Sequence, residues 1–477
     1  MINKKKVLVL NLPNKEQITR RYMCSYVSPE SLLPPHELIS VAAIAREWKN
    51  ADVKLIDAIA EGWETDRVAV EIYKYQPDII VSITGFECFE EDMDELRSIK
   101  SNFPESKMIL FGHYATNFSQ ETLKHSNADY IILGEPDLIF SDLYDAIIGN
   151  LNIETVEGIA YTKNNKFIKQ GNGNRIPNPN DLPMPCYDIL PKDKYYEPLL
   201  SSPFGMIQSA RGCPYQCNFC VKSFGTQLTT LNPERIVEEI KVWQQLFNVK
   251  SIRFIDDTFT INRKRVIELC KLMVNKKLDI EWACLSRTDN VDAEILSWMK
   301  KAGCKRIYFG MESGSKRMLE LYKKNFTLEQ SKEAFSLCRK YKIESAAFFM
   351  SGHPEETEAD FKATVDFAVN SDLNFASFNP LTPYPGTSMF NEMSNQLDFS
   401  IYPYKNNWKD ESVYKEFARR KKIFYKAFYF RPSYFYLNAS ALLKNMKEIA
   451  GMGFGLIRYI LWDKKFVISG LKGAHDK

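Results

Sequence analysis

The chain has 477 residues, 45% hydrophobic and 26% charged, which excludes a disordered protein and is too long for one ordinary core. With 63 Lys/Arg against 60 Asp/Glu its formal charge is only +3, so no global polycation or polyanion is at work. The balance is uneven: residues 411–477 carry 14 basic against 5 acidic side chains, and the remainder is net acidic.

The elements alternate from the start. Residues 6–10 form an apolar run that reads as a first strand rather than a signal peptide, and residues 36–48 have helical spacing. Strands are expected at 53–56, 78–84, 108–111 and 130–133, with helices at 68–75, 89–98 and 137–148. Continuous apolar strands alternating with amphipathic helices predict a doubly wound, Rossmann-like parallel sheet over residues 1–150, covered on both faces. Ligands on such sheets bind at the carboxyl ends of the strands, here Leu12, Ser82 to Thr84, Gly112-His113 and Gly134-Glu135. Residues 151–204 break the rhythm with a hairpin around Asn164-Asn165 and a proline-rich connector at 176–185.

A second rhythm covers 205–395. Strands are expected at 206–210, 251–255, 280–285, 306–310, 345–350 and 375–381, with helices between them. Asn232 before Pro233, and Thr327 with Gln330 three residues on, read as helix starts. Six strand–helix units are too few for a closed eight-stranded barrel and predict an open, partial one. No stretch is apolar and uncharged over a membrane-spanning length.

Seven of the ten cysteines are scattered, which suits a reducing cytoplasm; Cys213, Cys217 and Cys220 cluster after the first strand of the second unit. Structural zinc wants four ligands, and no second Cys or Cys/His pair follows nearby. Three thiolates on one loop can instead hold one face of a metal cluster and leave a coordination position open. The spacing Cys-x3-Cys-x2-Cys, with Phe219 before the last cysteine, resembles the radical S-adenosylmethionine (SAM) enzymes.

That resemblance implies a [4Fe-4S] cluster on the three cysteines, with SAM chelating the fourth iron and cleaved to a 5′-deoxyadenosyl radical. It also implies SAM contacts at Phe219 on the cysteine loop and at the strand ends: Asp256 and Asp257 after the second strand, Ser286 and Arg287 after the third, Glu312 and Ser313 after the fourth, and Gly352 after the fifth. Each residue alone is an ordinary turn or N-cap; together, in this order, they carry the likeness.

The runs Pro77 to Thr84, Phe111 to Thr116 and Ala128 to Glu135 resemble the cobalamin-binding domain of that superfamily's largest subgroup. That subgroup holds hopanoid methylases and the anaerobic Mg-protoporphyrin monomethyl ester cyclase. The likeness implies cobalamin contacts at Leu12, Ser82, Thr84, Gly112, His113, Gly134 and Glu135. Two departures stand out. The Asp-x-His-x-x-Gly motif whose His ligates cobalt is absent, and the usual Gly-Gly-x-His stretch appears as Phe111-Gly112-His113-Tyr114. A first domain that keeps the fold without the ligand is the alternative.

Residues 396–477 read as helices mixing Lys/Arg with aromatics. Such a tail suits a membrane surface, RNA, or a helical cap on the barrel. Similar tails occur in the hopanoid and porphyrin branches, so the resemblance favours a hydrophobic substrate and peripheral membrane contact, with no nucleic acid as partner. The expectation is therefore a cytoplasmic radical SAM enzyme that C-methylates an unactivated carbon, using a flavodoxin- or ferredoxin-type electron donor. Radical oxidative cyclisation without methyl transfer is the near rival. A tRNA methylthiotransferase would need a second cysteine triad that Cys24 and Cys88 cannot supply, and a non-catalytic corrinoid sensor leaves the three cysteines unexplained.

Overall fold

Strands that are apolar on both faces are stable only when both faces are covered, and the first half of the chain is built that way. The computed structural model describes residues 4–434 except 23–24, 28–30, 173–177, 198–199, 223 and 399–407. Its first sheet holds β1 (Lys6–Asn11), β4 (Asp52–Asp57), β5 (Ile79–Ile83), β6 (Lys107–Phe111), β7 (Tyr130–Ile132), β8 (Ile159–Lys163) and β9 (Lys166–Gln170). A small hairpin, β2 (Ile18–Arg20) and β3 (Ser25–Val27), lies between the first two of these strands in sequence. The order β4-β1-β5-β6-β7-β8-β9 is parallel through β7 and antiparallel thereafter. Connections leave β1 in opposite directions, so the switch point lies between β1 and β5. Asn164 and Asn165 take φ of 50° and 60°, as a two-residue hairpin turn requires. That hairpin extends the first sheet rather than standing apart as a connector.

The second sheet holds β10 (Phe204–Ile207), β13 (Ser251–Phe254), β14 (Glu281–Ser286), β15 (Cys304–Glu312), β16 (Glu344–Ser351) and β17 (Phe375–Pro380), all parallel and in sequence order. Its two outer strands do not pair with each other, so the barrel is open. Two short strands, β11 (Ala210–Arg211) and β12 (Thr229–Thr230), clasp the loop between them. Thr327 and Gln330 form the reciprocal cap that the sequence suggests, whereas Asn232 makes no side-chain cap and leaves Pro233 to start its helix.

One continuous apolar cluster runs from a face of the first sheet through Cys186, Tyr187, Leu190 and Tyr195 into the barrel. Buried area of this kind, about 25 cal/mol per Å2 of apolar surface, binds the two units more firmly than a flexible linker would. The helix Ser412–Tyr429 closes the open edge at β17, where Tyr425 Oη accepts from Phe378 N (3.1 Å) and Tyr429 Oη from Ala376 N (3.2 Å). An unpaired edge strand is thereby satisfied by two tyrosine hydroxyls. The tail beyond residue 434, including the apolar stretch 452–462, lies outside the described residues. Among the described residues no helix is long and apolar enough to cross a membrane.

Candidate functional site

The cysteine loop leaves the carboxyl end of β10 and is fixed before it reaches Cys213. The buried Asp256 carboxylate, at the end of β13, accepts from Ser209 N (2.6 Å), Ser209 Oγ (2.5 Å) and Ala210 N (2.9 Å). Arg265 donates to Ser209 O (2.8 Å) and lies 3.5 Å from Asp256. Burial raises the Asp256 carboxyl, opposed by Arg265. Every oxygen of Asp256 is thus committed to the loop's entry. Asp257 is half-buried and lies close enough to Cys213 and Cys220 to push both thiols up. Further along, Cys213 N bonds Gly225 O (3.2 Å), and Asn218 N bonds Tyr322 O (3.4 Å).

Cys213, Cys217 and Cys220 are half-buried free thiols. Burial raises Cys213 and Cys220 first, with Asp257 and the neighbouring thiols adding to it. Cys217 acts on both Cys213 and Cys220, so the three thiols lie near one another. Among the described residues no three Cys, His, Asp or Glu side chains converge tightly enough for a single metal ion. A cubane cluster asks for a wider spread, because each thiolate binds a different iron. The donor set of three thiols therefore fits a cluster and not lone zinc.

Two cations lie beside these sulfurs. Arg287, buried at the end of β14, points Nη1 at Cys217 Sγ (3.9 Å) and stacks on Tyr215 at 3.7 Å. Its remaining donors go to Asp289 (2.9 Å, twice) and Lys324 O (2.5 Å). Lys324 is 5% exposed, sits over Phe219 at 5.8 Å, and gives one bond to Glu312 Oε1 (3.1 Å). Glu312 has φ of 65°, at a register shift where β15 meets β16. Gly310 makes that pair possible: a Cβ there would lie 2.7 Å from Glu312 Oε1 and 3.3 Å from Lys324 Nζ. An ammonium has three donors, so Lys324 keeps two that the protein leaves unused among the described residues. Asn218 Oδ1, Tyr322 Oη and Asn290 Nδ2 are buried without partners nearby, and the rings of Tyr322 and Phe219 meet edge to face at 5.6 Å. Buried polar atoms without partners are rare, and three separate segments contribute them here.

Other strand-end residues are engaged internally. Ser286 Oγ bonds Thr260 Oγ1 (2.5 Å), and Ser313 Oγ bonds Thr364 Oγ1 (2.9 Å). Gly352 N donates to Glu356, which Arg420 neutralises from the helix Ser412–Tyr429. Lys324 and Tyr322 escape sequence reasoning, because a Lys323-Lys324 pair reads as solvated surface until burial is known.

The first sheet presents a different face. Ser82 Oγ donates to Leu10 O (2.8 Å), and Thr84 Oγ1 to Asp92 (2.8 Å). Arg20, from the β2–β3 hairpin, crosses the switch point to bond Asp92, Asn11 and the Leu12 carbonyl within a fully buried ion pair. Gly112 has φ of 123°, and a Cβ there would lie 2.3 Å from Thr84 O. His113 Nε2 donates to Pro385 O (2.7 Å) in the loop after β17, so it joins the two units. Burial lowers His113 to about 4. Gly134 N bonds Thr116 Oγ1 (3.2 Å). Glu135 and Asp137 hold Arg211, two residues before Cys213, at 3.1 and 2.5 Å. Tyr22, after the loop that leaves β1, packs on Phe224 of the cysteine loop at 5.3 Å. On that loop and hairpin the buried donors Asn14 Nδ2 and Thr19 Oγ1 have no partner among the described residues. The amide-bearing rim of a corrinoid would satisfy such donors, so this margin fits one, although Ser82, Thr84 and His113 are occupied.

Comparison with known proteins agrees with this geometry. Residues 207–368 match the radical SAM superfamily. The chain is 32% identical over 431 residues to an uncharacterized methyltransferase of Pyrococcus horikoshii, spanning 88% of this chain and 91% of that protein. It is 26% identical over 381 residues to the anaerobic magnesium-protoporphyrin IX monomethyl ester cyclase of Cereibacter sphaeroides, spanning 77% of this chain and 62% of the cyclase. Among solved structures, the radical SAM methyltransferase TsrM of Kitasatospora setae, with cobalamin and a [4Fe-4S] cluster bound, superposes with TM-score 0.67 at 17% identity, covering 82% of this chain and 75% of that one. The cobalamin-dependent SAM radical enzyme OxsB gives 0.66 at 19%, covering 82% and 55%. Both share the two-unit fold.

Proposed function

We propose that this chain, which belongs to the radical SAM superfamily and within it to the family of the Pyrococcus methyltransferase, is a cobalamin-dependent methylase. Membership makes it an enzyme, and enzymes of this superfamily need a reductant and a small-molecule substrate. The finer reading is C-methylation of an unactivated carbon in a hydrophobic molecule, with a flavodoxin- or ferredoxin-type donor. The single observation that supports it best is the set of buried polar groups without partners among the described residues beside three unbridged thiols.

When bound, a [4Fe-4S] cluster would supply the electron that cleaves SAM, and a corrinoid would supply the methyl group. Cys213, Cys217 and Cys220 would hold the cluster. Arg287 offsets negative charge beside Cys217, and its orientation is fixed by Asp289. Lys324 is the cation with donors free for an anionic group such as the SAM carboxylate, with Glu312 opposite to accept from an ammonium. Asp256 positions the loop, and Arg211 ties its entry to Glu135 and Asp137 of the first unit, so the two cofactor margins keep a constant separation. Asn14 and Thr19 would bond the corrinoid edge.

Cobalt and iron per chain, measured on protein made without oxygen in cobalamin-fed cells, test this reading. Near-stoichiometric cobalt with about four irons is expected. Iron without cobalt would overturn the methylase reading. The cyclase relative favours radical cyclisation as the second reading. Methylation yields S-adenosylhomocysteine together with 5′-deoxyadenosine, whereas cyclisation yields only the latter.

A further inference from the structure

The helix Ser412–Tyr429 has two faces of opposite character. Its inner face buries Arg420, Phe424, Tyr425 and Phe428 against the barrel. On its outer face Lys415, Arg419, Lys422 and Lys426 are exposed. At 100° per residue these four fall within one narrow arc, and Phe430 and Ile423 lie along one edge of it. Ile423 is 40% and Phe430 67% exposed, the latter at the helix end.

Arg419 is neutralised by Glu416 and Glu358, both at 2.7 Å. The three lysines have no acidic partner among the described residues. A solvated helix surface normally interleaves both signs, with i,i+4 pairs; this face carries unpaired positive charge beside two large apolar side chains. Single exposed apolar residues need no explanation, but a basic stripe edged by Phe and Ile is the composition of an interfacial helix face. Past residue 434 the sequence carries 7 basic against 3 acidic residues, so the tail as a whole is also basic.

We propose that this outer face docks on the surface of an anionic lipid bilayer, with the lysines against headgroups and Phe430 and Ile423 at the acyl boundary. The inner face remains on the barrel, so the helix lies on the membrane without leaving the fold. Arg420, on the opposite side, bonds Glu356 and Ser351 at the carboxyl end of β16. The proposal does not rest on which cofactors or substrate the interior takes, and its test needs no turnover.

The experiment is co-sedimentation of the full chain with phosphatidylcholine vesicles, with and without phosphatidylglycerol. Binding to the anionic vesicles, weakened by salt, is expected. The variant K415Q/K422Q/K426Q should lose about 100-fold in partitioning, as three charges near an anionic surface would. F430S should lower binding that persists at high salt. The control K264Q/K276Q/K316Q makes the same charge change on other exposed helices and should bind as the parent does. Equal binding to both vesicle types, unchanged binding by the first variant, or an equal loss by the control overturns the proposal. Binding of single-stranded RNA in place of vesicles, or a dimer abolished by the same three substitutions, also overturns it, in favour of nucleic acid or a second copy.

Discussion

At the carboxyl ends of the first sheet Ser82 and Thr84 turn on the protein itself, whereas beside those of the second several buried polar groups are left without partners among the described residues. Ser82, Thr84, Asp92, Asn11 and Arg20 close a buried network across the first switch point. Lys324, Asn218, Tyr322 and Asn290 surround the cysteines of the second with unsatisfied groups. The rule that ligands sit at strand ends applies to both sheets, but hydrogen-bond accounting separates them. The second sheet leaves its unpartnered polar groups on the strand ends and the loops that follow them. The first offers the loop leaving β1 and the strand ends beside β7.

The largest effect should come from the second sheet's thiols. Replacing Cys217 with Ala should abolish both the iron content and SAM cleavage of anaerobically purified protein; retained cleavage would break the assignment. At the seam, Arg211→Met leaves Asp137 buried and unpaired, at a cost of about 3–5 kcal/mol. Urea unfolding of R211M, D137N and the double variant checks this, and the double variant should recover part of the loss. If R211M were neutral, the two sheets would not be coupled there.

The third contrast is a pH dependence carried by the first sheet. Burial lowers His113 to about 4 from 6.5. Below pH 6.5 the unfolded chain binds a proton that the folded chain refuses until near pH 4, so stability falls as pH drops through that window. The loss reaches about 3 kcal/mol for one such histidine. His36, also lowered to about 4 by burial, adds a second contribution. Thermal melts at pH 7 and pH 4.5 should converge in part for H113Q, whose amide can still donate to Pro385 O. An unchanged slope would mean the interdomain contact does not hold His113 neutral.

The smallest expected effect sharpens the second site. Lys324→Met removes a charged donor and should weaken SAM binding by about 1.5–3 kcal/mol, roughly 10- to 100-fold, in equilibrium dialysis of the cluster-bearing protein. Binding as tight as the parent's would show that its two free donors meet no ligand.

Much of this arrangement is legible in the sequence. Apolar strands at regular intervals and the spacing of three cysteines depend on local periodicity and covalent order, so the two α/β units, the open six-stranded sheet and the cluster loop can be read without coordinates. Thr327 and Gln330 likewise announce their helix because a capping box is made within four residues. Contacts made at long range leave no such trace. Asp256 and Asp257 are adjacent and chemically alike, yet one anchors Ser209 and the other faces the thiols, because strand alternation and the end of β13 orient them differently.

Chain order and side-chain chemistry therefore determined the elements, their class and the spacing of the cysteine loop, since those follow from neighbours within a few residues. Only the tertiary structure decided which polar groups are consumed by the protein and which remain open. It buried Lys324 beside Glu312, set Arg211 between the units, and turned His113 toward Pro385. The physical reason is that an unsatisfied donor is defined by what surrounds it in space, and sequence carries no record of those surroundings.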